Sequence, residues 1–452
     1  MNDPVAVVVL AAGKGTRMKS DLPKVLHTVA GRPMLHHVLA ATEPLQPARR
    51  VVVLSPGQEA VAASIAPIPT AIQHPPRGTG DAVRAAKAEL EGFTGTVLVL
   101  FGDTPLLTPE TLSQMVAMTE GPDGAAFVIL GFELDSPGRY ARLVLDEAGG
   151  LRKIIEAPDL KGDEVDIKLC NGGALAVDGS RLFDWLERLE PHNAQGEFYL
   201  FDLLDFVHEE GRKAGVVWID PVETMGVDSR AGLAAAEAKM QERLRRRVMD
   251  EGVTLVAPET VFLSFDTVIG QDSVVQPHCV FGPGVKIGPK VEIKSFSHLE
   301  GATVGLGARV GPYARLRPGA ELGERVHVGN FVEVKNARFG DGAKANHLSY
   351  VGDAEVGAGA NIGAGTITCN YDGFEKHLTE IGAGAFIGSN TALVAPVRIG
   401  EGALVGAGST VTEDVGANDI VAVRGARKVV PGAAVRYRET RAARKAAKKK
   451  DS

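Results

Sequence analysis

Scarcity is the first thing the chain shows. Its three cysteines, Cys170, Cys279 and Cys369, lie far apart with no CxxC pair. This argues against a disulfide framework and against a cysteine zinc site, and suits a reducing compartment. Positive charge is not in excess: the formal net charge is −7, so nothing points to nucleic acid as a partner. No apolar run reaches membrane-spanning length, and no cationic segment precedes the first apolar run. A cytoplasmic location without a membrane partner is therefore expected. Aromatic residues make up only 5% of the sequence, whereas glycine is abundant, at 54 of 452 residues. That pairing hints at a repetitive β architecture with many turns. The length suggests two or three domains.

The N-terminal half alternates strand and helix patterns. "VAVVVLAA", "RVVVLS" and "TVLVLFGD" read as buried strands. "PMLHHVLAAT" opens with Pro33, suited to a first helical turn. Thr79 is placed to cap "GDAVRAAKAEL", and Thr108 to cap "PETLSQMVAM". This order predicts a mostly parallel, doubly wound α/β sheet with ligands at the carboxyl ends of its strands. From Asp228 to Gly252 the chain is rich in helix formers and reads as a long connecting helix.

Beyond it the sequence becomes periodic. Apolar residues recur at intervals of six from Ile269 through Val275, Phe281, Ile287 and Ile293 to Leu299, again from Val304 to Val334, and again from Ile381 to Val411. Glycine usually follows the apolar residue. This is the hexapeptide pattern of a parallel β-helix. The period breaks at "KANHLSY" (Lys344 to Tyr350) and at "TCNYDGFEKHLTE" (Thr368 to Glu380), and interruptions in repeat proteins tend to gather on a functional face. The expected organisation is 1–227, a linker helix at 228–251, a β-helix at 252–435 and a basic, disordered tail at 436–452.

After the first strand comes "LAAGKGTRMKSDLPK" (Leu10 to Lys24), in which glycines and cations suggest phosphate. The order Gly13-Lys14-Gly15-Thr16 is not a Walker A loop, and Met18 stands where the dinucleotide pattern needs a third glycine. This segment resembles the signature of sugar-phosphate nucleotidyltransferases, as do "GTGDAV", "FGDTPLL", "NGGALAV" and "NAQGEFYLFD" in that order. The C-terminal stretches "RLRPGAELGERVHVGNFVEVKNARFGDGAKANHLSYVGD" and "NIGAGTITCNYDG" are similar to the bacterial bifunctional N-acetylglucosamine-1-phosphate uridylyltransferase/glucosamine-1-phosphate N-acetyltransferase family. The resemblance spans nearly the whole chain.

That resemblance implies an N-terminal nucleotidyltransferase domain and a left-handed parallel β-helix, with UTP and acetyl-CoA as substrates, Mg2+ as cofactor and a homotrimer as the assembly. It implies that Leu10, Ala11, Ala12, Gly13 and Gly15 line the nucleotide, with Arg17 and Lys24 on its phosphates. Asp103 would be a magnesium ligand. The family's second ligand is an Asn, where this chain has Asp228. Aspartate is also an oxygen ligand, and Asp228 could instead cap the linker helix, or do both. Gln73, Gly78 and Thr79 match the uracil segment, and Glu156 and Asn171 the sugar contacts; for Gln73 and Asn171 a turn hydrogen bond is the alternative. Ala141 replaces a family glycine, and its methyl could crowd the sugar.

In the β-helix the resemblance makes His347 the base, since removing an amine's proton near neutrality suits histidine. Glu333 could orient its ring. Arg317 and Lys335 would bind the sugar phosphate, and Tyr350, Asn361, Asn370, Tyr371 and Lys376 match further sugar-site positions. Asn370 and Tyr371 would also border the acetyl-CoA site, which Ser389, Ala407 and Arg424 match. Cys369 reads as a small side chain near the site, because direct attack by an amine needs no protein nucleophile. Two other readings are a nucleotidyltransferase whose β-helix serves only to assemble trimers, and a nucleotide sensor without turnover. His347, Arg317 and the "CNYDG" insertion weigh against the first, and Asp103 with Arg17 and Lys24 against the second.

Overall fold

The structure, a computed structural model, describes residues 3–13, 15–121, 123–147, 149–425 and 429–448. The chain divides into two units. One comprises Met1–Glu251 with Val261–Thr267 and Phe281–Pro283, and the other comprises Gly252–Thr260, Val268–Val280 and the residues from Gly284 onward.

In the first unit, β1 (Val5–Leu10) is followed by a small hairpin of β2 (Thr28–Val29) and β3 (Arg32–Pro33). Then come β4 (Arg49–Leu54), β5 (Thr70–Ile72), β6 (Thr96–Phe101), β7 (Phe127–Glu133), β8 (Arg142–Leu145), β9 (Leu151–Ile155), β10 (Leu169–Asp178) and β11 (Ala214–Trp218). The main sheet runs β11-β7-β10-β6-β1-β4-β5, with β8 and β9 attached through β10. β1 is parallel to β4 and β6, β4 to β5, and β7 to β11; β10 runs antiparallel between β6 and β7. Strand side chains alternate between faces. Ala6, Val8 and Leu10 therefore pack with α3 (Thr79–Ala85), α5 (Gly179–Arg188) and α6 (Leu203–Glu209), while Val5, Val7 and Val9 pack with α1 (Met34–Ala41), α2 (Glu59–Ile65) and α4 (Pro109–Thr119). Both faces are covered, which is why these strands read as continuous apolar runs.

Local capping departs from expectation in two places. Thr108 does cap α4, accepting from Thr111 N at 3.3 Å. Thr79, however, lies inside α3, whose N-cap is Gly78, and its hydroxyl accepts from Leu200 N at 3.0 Å. Pro33 precedes α1 at the N-cap in extended backbone (ψ 142°) instead of entering the first turn.

The long helix α7 (Arg230–Asp250) packs within the first unit. Arg230 Nε donates to Met18 O at 3.2 Å, and Arg243 to Leu106 O at 2.8 Å. Gln241 donates to Leu263 O and accepts from Leu263 N, which seats the piece Val261–Thr267 in this unit.

The second unit is the parallel β-helix. One column of paired residues runs Val275, Ile293, Val310, Val328, Ala345, Ile362, Ile387, Val405 and Val421, each in parallel register with the next. The periodic apolar residues named above are all buried, each contributing roughly 1.5–3 kcal/mol. "KANHLSY" does not interrupt this column. Ala345 fills the apolar slot and is fully buried, so the repeat is broken in residue size but not in register. "TCNYDGFEKHLTE" does extend its coil, and the next partner of Ile362 is Ile387. The basic segment expected to be a disordered tail is instead helical from Ala433 to Lys448 (α8), in keeping with its alanine, arginine and lysine content; residues 449–452 lie outside the described residues. No described helix is long and apolar enough to cross a membrane.

Candidate active sites

The loop after β1 turns through a short helical segment, Thr16–Met18. Gly15 has φ 60°, and a Cβ there would stand 2.6 Å from Lys24 Cβ. Glycine is needed at this position for the backbone turn and for the close passage of the Lys24 stem. Lys24 is thereby led to the end of β6, where its Nζ lies 2.5 Å from Asp103 Oδ2. Asp103 O in turn accepts from Val227 N at 2.9 Å, which brings Asp228 alongside. Asp228 Oδ2 is 2.6 Å from Arg17 Nη1. The helix cap that Asp228 could have provided comes from Ser229, whose hydroxyl accepts from Gly232 N at 3.2 Å. Arg17, Lys24, Asp103 and Asp228 thus gather as two ion pairs.

Two cavities meet at Asp103 and Phe101. The first, about 260 Å³, is lined by Leu10, Ala11, Ala12, Gly13, Lys24, Gln73, Gly78 and Thr79. Gln73 is buried there, and its amide donates to Gly78 O at 2.9 Å and to Asp81 Oδ2 at 3.1 Å. The turn hydrogen bond and the cavity position hold together for this residue. Gly78 has φ 114°, and a Cβ on it would meet Phe198 O at 2.6 Å. The second cavity, about 340 Å³, is lined by Tyr140, Asn171, Gly172, Gly173 and Asp228 among others. The "NGG" of β10 is where its pairing with β7 slips, and Asn171 Oδ1 accepts from Gly173 N at 2.9 Å, so the bulge fixes the side chain. Ala141 is buried and does not line this cavity; its carbonyl accepts from Asn171 N at 2.9 Å.

Glu156 is not gathered with Asn171. It lines a separate cavity of about 510 Å³ with Asp159, Tyr199 and Asp202. Burial, reinforced by Asp202, Asp159 and Glu197, pushes its carboxyl up to about 7. Burial and the neighbouring Asp205 and Asp159 raise Asp202 to about 6. A carboxyl that protonates more readily when folded stabilises the fold fully below its unfolded value of 4.5 and loses that contribution as pH rises through 7. Glu156→Gln is accordingly expected to stabilise the first unit by up to about 3 kcal/mol at pH 8 and by little at pH 5. Urea unfolding followed by tryptophan fluorescence checks this, since Trp185 and Trp218 both belong to this unit.

In the β-helix, Glu333 does not touch His347. Its carboxylate takes Arg317 Nη1 at 2.8 Å and Arg315 Nη1 at 3.5 Å. Asn330 occupies the expected place, with its Oδ1 2.5 Å from His347 Nδ1. Glu333 thus holds the cation expected to bind phosphate, not the base. Lys335 lies beside Lys376, and that like-charged neighbour, with Arg317 nearby, holds its amine below the usual lysine value; Asp353 acts the other way. Tyr350 pairs with Glu333 across adjacent coils and rests over Gly352, where a Cβ would stand 2.3 Å from its hydroxyl. Asn361 pairs with Lys344 and Phe386 in another column.

Asn370 is buried and its amide donates to Asp353 Oδ2, whose other oxygen accepts from Asn336 Nδ2 at 2.6 Å. Tyr371 stands exposed with its hydroxyl donating to Gly373 O at 2.6 Å. The excursion is tied by Asp372, which accepts from Phe374 N, Glu375 N and His377 Nε2, each at 2.8 Å; these bonds hold its carboxyl far below the usual range. Ser389, Ala407 and Arg424 share one corner: Gly408 N donates to Ser389 O at 2.8 Å and Arg424 Nε to Ala407 O at 2.7 Å.

Asn330, Asn336 and Asp353 were not anticipated from sequence. Each lies seventeen residues from its partner, as Asn330–His347, Asn336–Asp353 and Asp353–Asn370 do. One coil of separation between polar residues is the signal that would have found them.

A triphosphate-type loop over paired acids and cations, in a chain that continues as a hexapeptide β-helix, defines a nucleotidyltransferase fused to an acyltransferase-type repeat. Comparison with known proteins agrees. Residues 7–164 match the MobA-like NTP transferase domain family, and residues 266–301 and 378–413 match the bacterial transferase hexapeptide family. The bifunctional protein GlmU of Paramagnetospirillum magneticum is 54% identical over 98% of this chain and 99% of its own length. That of Sphingopyxis alaskensis is 51% identical over the whole of both chains, and that of Rhodospirillum rubrum 55% over 96% of this chain and 97% of its own. The chain belongs to the GlmU family of bifunctional proteins.

Proposed function

We infer that the chain catalyses two successive steps of UDP-N-acetylglucosamine synthesis. The β-helix unit acetylates glucosamine 1-phosphate from acetyl-CoA. The N-terminal unit then transfers the uridylyl group of UTP to N-acetylglucosamine 1-phosphate and releases pyrophosphate. The observation that carries this is that each unit has a polar constellation of its own, and that full-length relatives carry both halves.

In uridylyl transfer, a phosphate oxygen of the sugar bonds to the α-phosphorus of UTP while the bond to pyrophosphate breaks. Two anions must meet and negative charge must be stabilised as it moves to the leaving group, so position and fixed positive charge dominate. Arg17 and Lys24 supply that charge, and the loop glycines let the backbone approach the triphosphate. Asp103 and Asp228 would hold magnesium. Two carboxylates around open space are the hard-oxygen donor set this ion uses together with phosphates and water. When bound, it neutralises and orients the phosphates.

In acetyl transfer, the sugar amine attacks the thioester carbonyl. His347 Nε2 takes the amine proton as the C–N bond forms; the C–S bond breaks, and that proton passes to the departing thiolate so that CoA leaves as the free thiol. Arg317, Lys335 and Lys376 hold the sugar phosphate. We further propose a homotrimer with its acetyl-transfer sites between neighbouring β-helices. Phe296, Tyr313, Phe331 and Leu348 are exposed in successive coils, the first three stacked at 4.9–5.1 Å, and this apolar ridge ends beside His347.

The test supplies glucosamine 1-phosphate, acetyl-CoA, UTP and magnesium, and measures free thiol and pyrophosphate separately. A second reaction replaces the first two by N-acetylglucosamine 1-phosphate. Thiol and pyrophosphate together are expected in the first. Pyrophosphate from the second with no thiol from the first would reduce the β-helix to a scaffold.

A further inference from the structure

An imidazole acts as a base only through a nitrogen that carries a free lone pair. For His347 that choice is made by whatever its other nitrogen meets, and among the described residues its side-chain partner is Asn330, with Oδ1 at 2.5 Å from Nδ1. An amide oxygen only accepts, so Nδ1 must carry the proton and Nε2 is left free. The backbone that carries this amide is fixed. Asn330 pairs in register with His347 across adjacent coils, and its carbonyl accepts from Leu348 N at 3.0 Å. The His347 carbonyl is in turn fixed by Ser349 Oγ at 2.9 Å.

The carboxylate that chemistry would first suggest is spent elsewhere, since Glu333 is engaged by Arg317 and Arg315. In this column His327 lies in the field of Lys294, Arg309, Lys344 and His347, which with burial holds it below its usual value; the acid of the column, Glu292, stands next to Arg309 and Lys294, two coils before His327. A neutral acceptor orients the ring here without adding a countercharge that would favour the imidazolium.

We propose that Asn330 is a positioning residue for acetyl transfer, holding His347 in the Nδ1–H tautomer so that Nε2 faces the amine as base. This rests on the acetyl-transfer reading above.

The experiment compares Asn330→Ala, Asn330→Asp and His347→Ala in the full-length protein. It uses thiol release for rate, pyrophosphate release as an internal control, and 15N-histidine spectra in which the His347 signals are identified by their absence from His347→Ala. Asn330→Ala is expected to lower kcat for acetyl transfer by about 10- to 100-fold, part of what a general base contributes, with KM for both substrates and pyrophosphate release nearly unchanged. Asn330→Asp, which still accepts from Nδ1–H, should recover most of the rate. The wild-type spectrum should show the Nδ1–H tautomer, and Asn330→Ala a mixture. Full kcat in Asn330→Ala alongside an inactive His347→Ala would overturn this inference and leave the function standing. An active His347→Ala would overturn the function itself. Should Asn330→Ala fail to fold, an Nε2–H tautomer in the wild type would overturn the proposal and an Nδ1–H tautomer, with an active Asn330→Asp, would support it.

Discussion

His347→Ala is expected to lower acetyl transfer by about 100- to 10,000-fold, the range a positioned general base contributes. Uridylyl transfer should stay within about twofold, because an alanine removes the proposed base without touching the proposed phosphate loop. The large size follows from the reaction. An amine that attacks a thioester must shed a proton as the C–N bond forms, and the substitution leaves no other imidazole against Asn330 to receive it. The side chain is exposed and no core contact depends on it, so the melting temperature should be nearly unchanged. The check is thiol and pyrophosphate release from one preparation, with thermal unfolding alongside. Loss of both activities in a folded protein would contradict the division of labour between the two units.

Asp103→Ala is the mirror experiment. Pyrophosphate release should fall by about 100- to 1,000-fold, comparable to removing one preorganised electrostatic group from a transfer site. Acetyl transfer should be unaffected. Two effects combine: the proposed magnesium loses the ligand at the junction of the two cavities, and the largely buried Lys24 loses its partner at 2.5 Å. An unpaired, part-buried cation costs about 1–3 kcal/mol, so a lower melting temperature is expected as well. Asp103→Asn separates the contributions. It keeps an oxygen near Lys24 but removes the charge, so it should recover stability more than rate. Rising magnesium should restore activity partly in Asp103→Asn and not in Asp103→Ala.

Much of the architecture was legible in one dimension. The six-residue period marks residues on inward-facing edges, and each of those predicted slots is filled by a buried side chain. Continuous apolar strands signalled a sheet covered on both faces, which the alternating packing of β1 explains. The loop after β1 stood out as a candidate through its glycines and cations, and part of it lines a cavity. What misled was local. Thr79 looked like a cap, yet its hydroxyl is bound by Leu200, far along the chain. "KANHLSY" looked like a break because alanine is too small to register in a hydrophobic count, although Ala345 sits in the core column. The C-terminal segment looked disordered by charge, whereas its alanine, arginine and lysine content favours the helix that is found.

By itself the sequence determined the two-part architecture and singled out the glycine-and-cation loop and His347 as candidates, because periodicity and residue chemistry are properties of a string. The pairing of those residues was decided only in three dimensions. Whether Asp228 caps a helix or meets Arg17 depends on the hydrogen bond from Val227 to Asp103, which joins segments more than a hundred residues apart in order-of-magnitude terms. Whether Glu333 or Asn330 meets His347 depends on coil register. Both lie near one coil away in sequence, and only the stacking of Asn330 directly on His347, with Arg317 drawing Glu333 aside, selects between them.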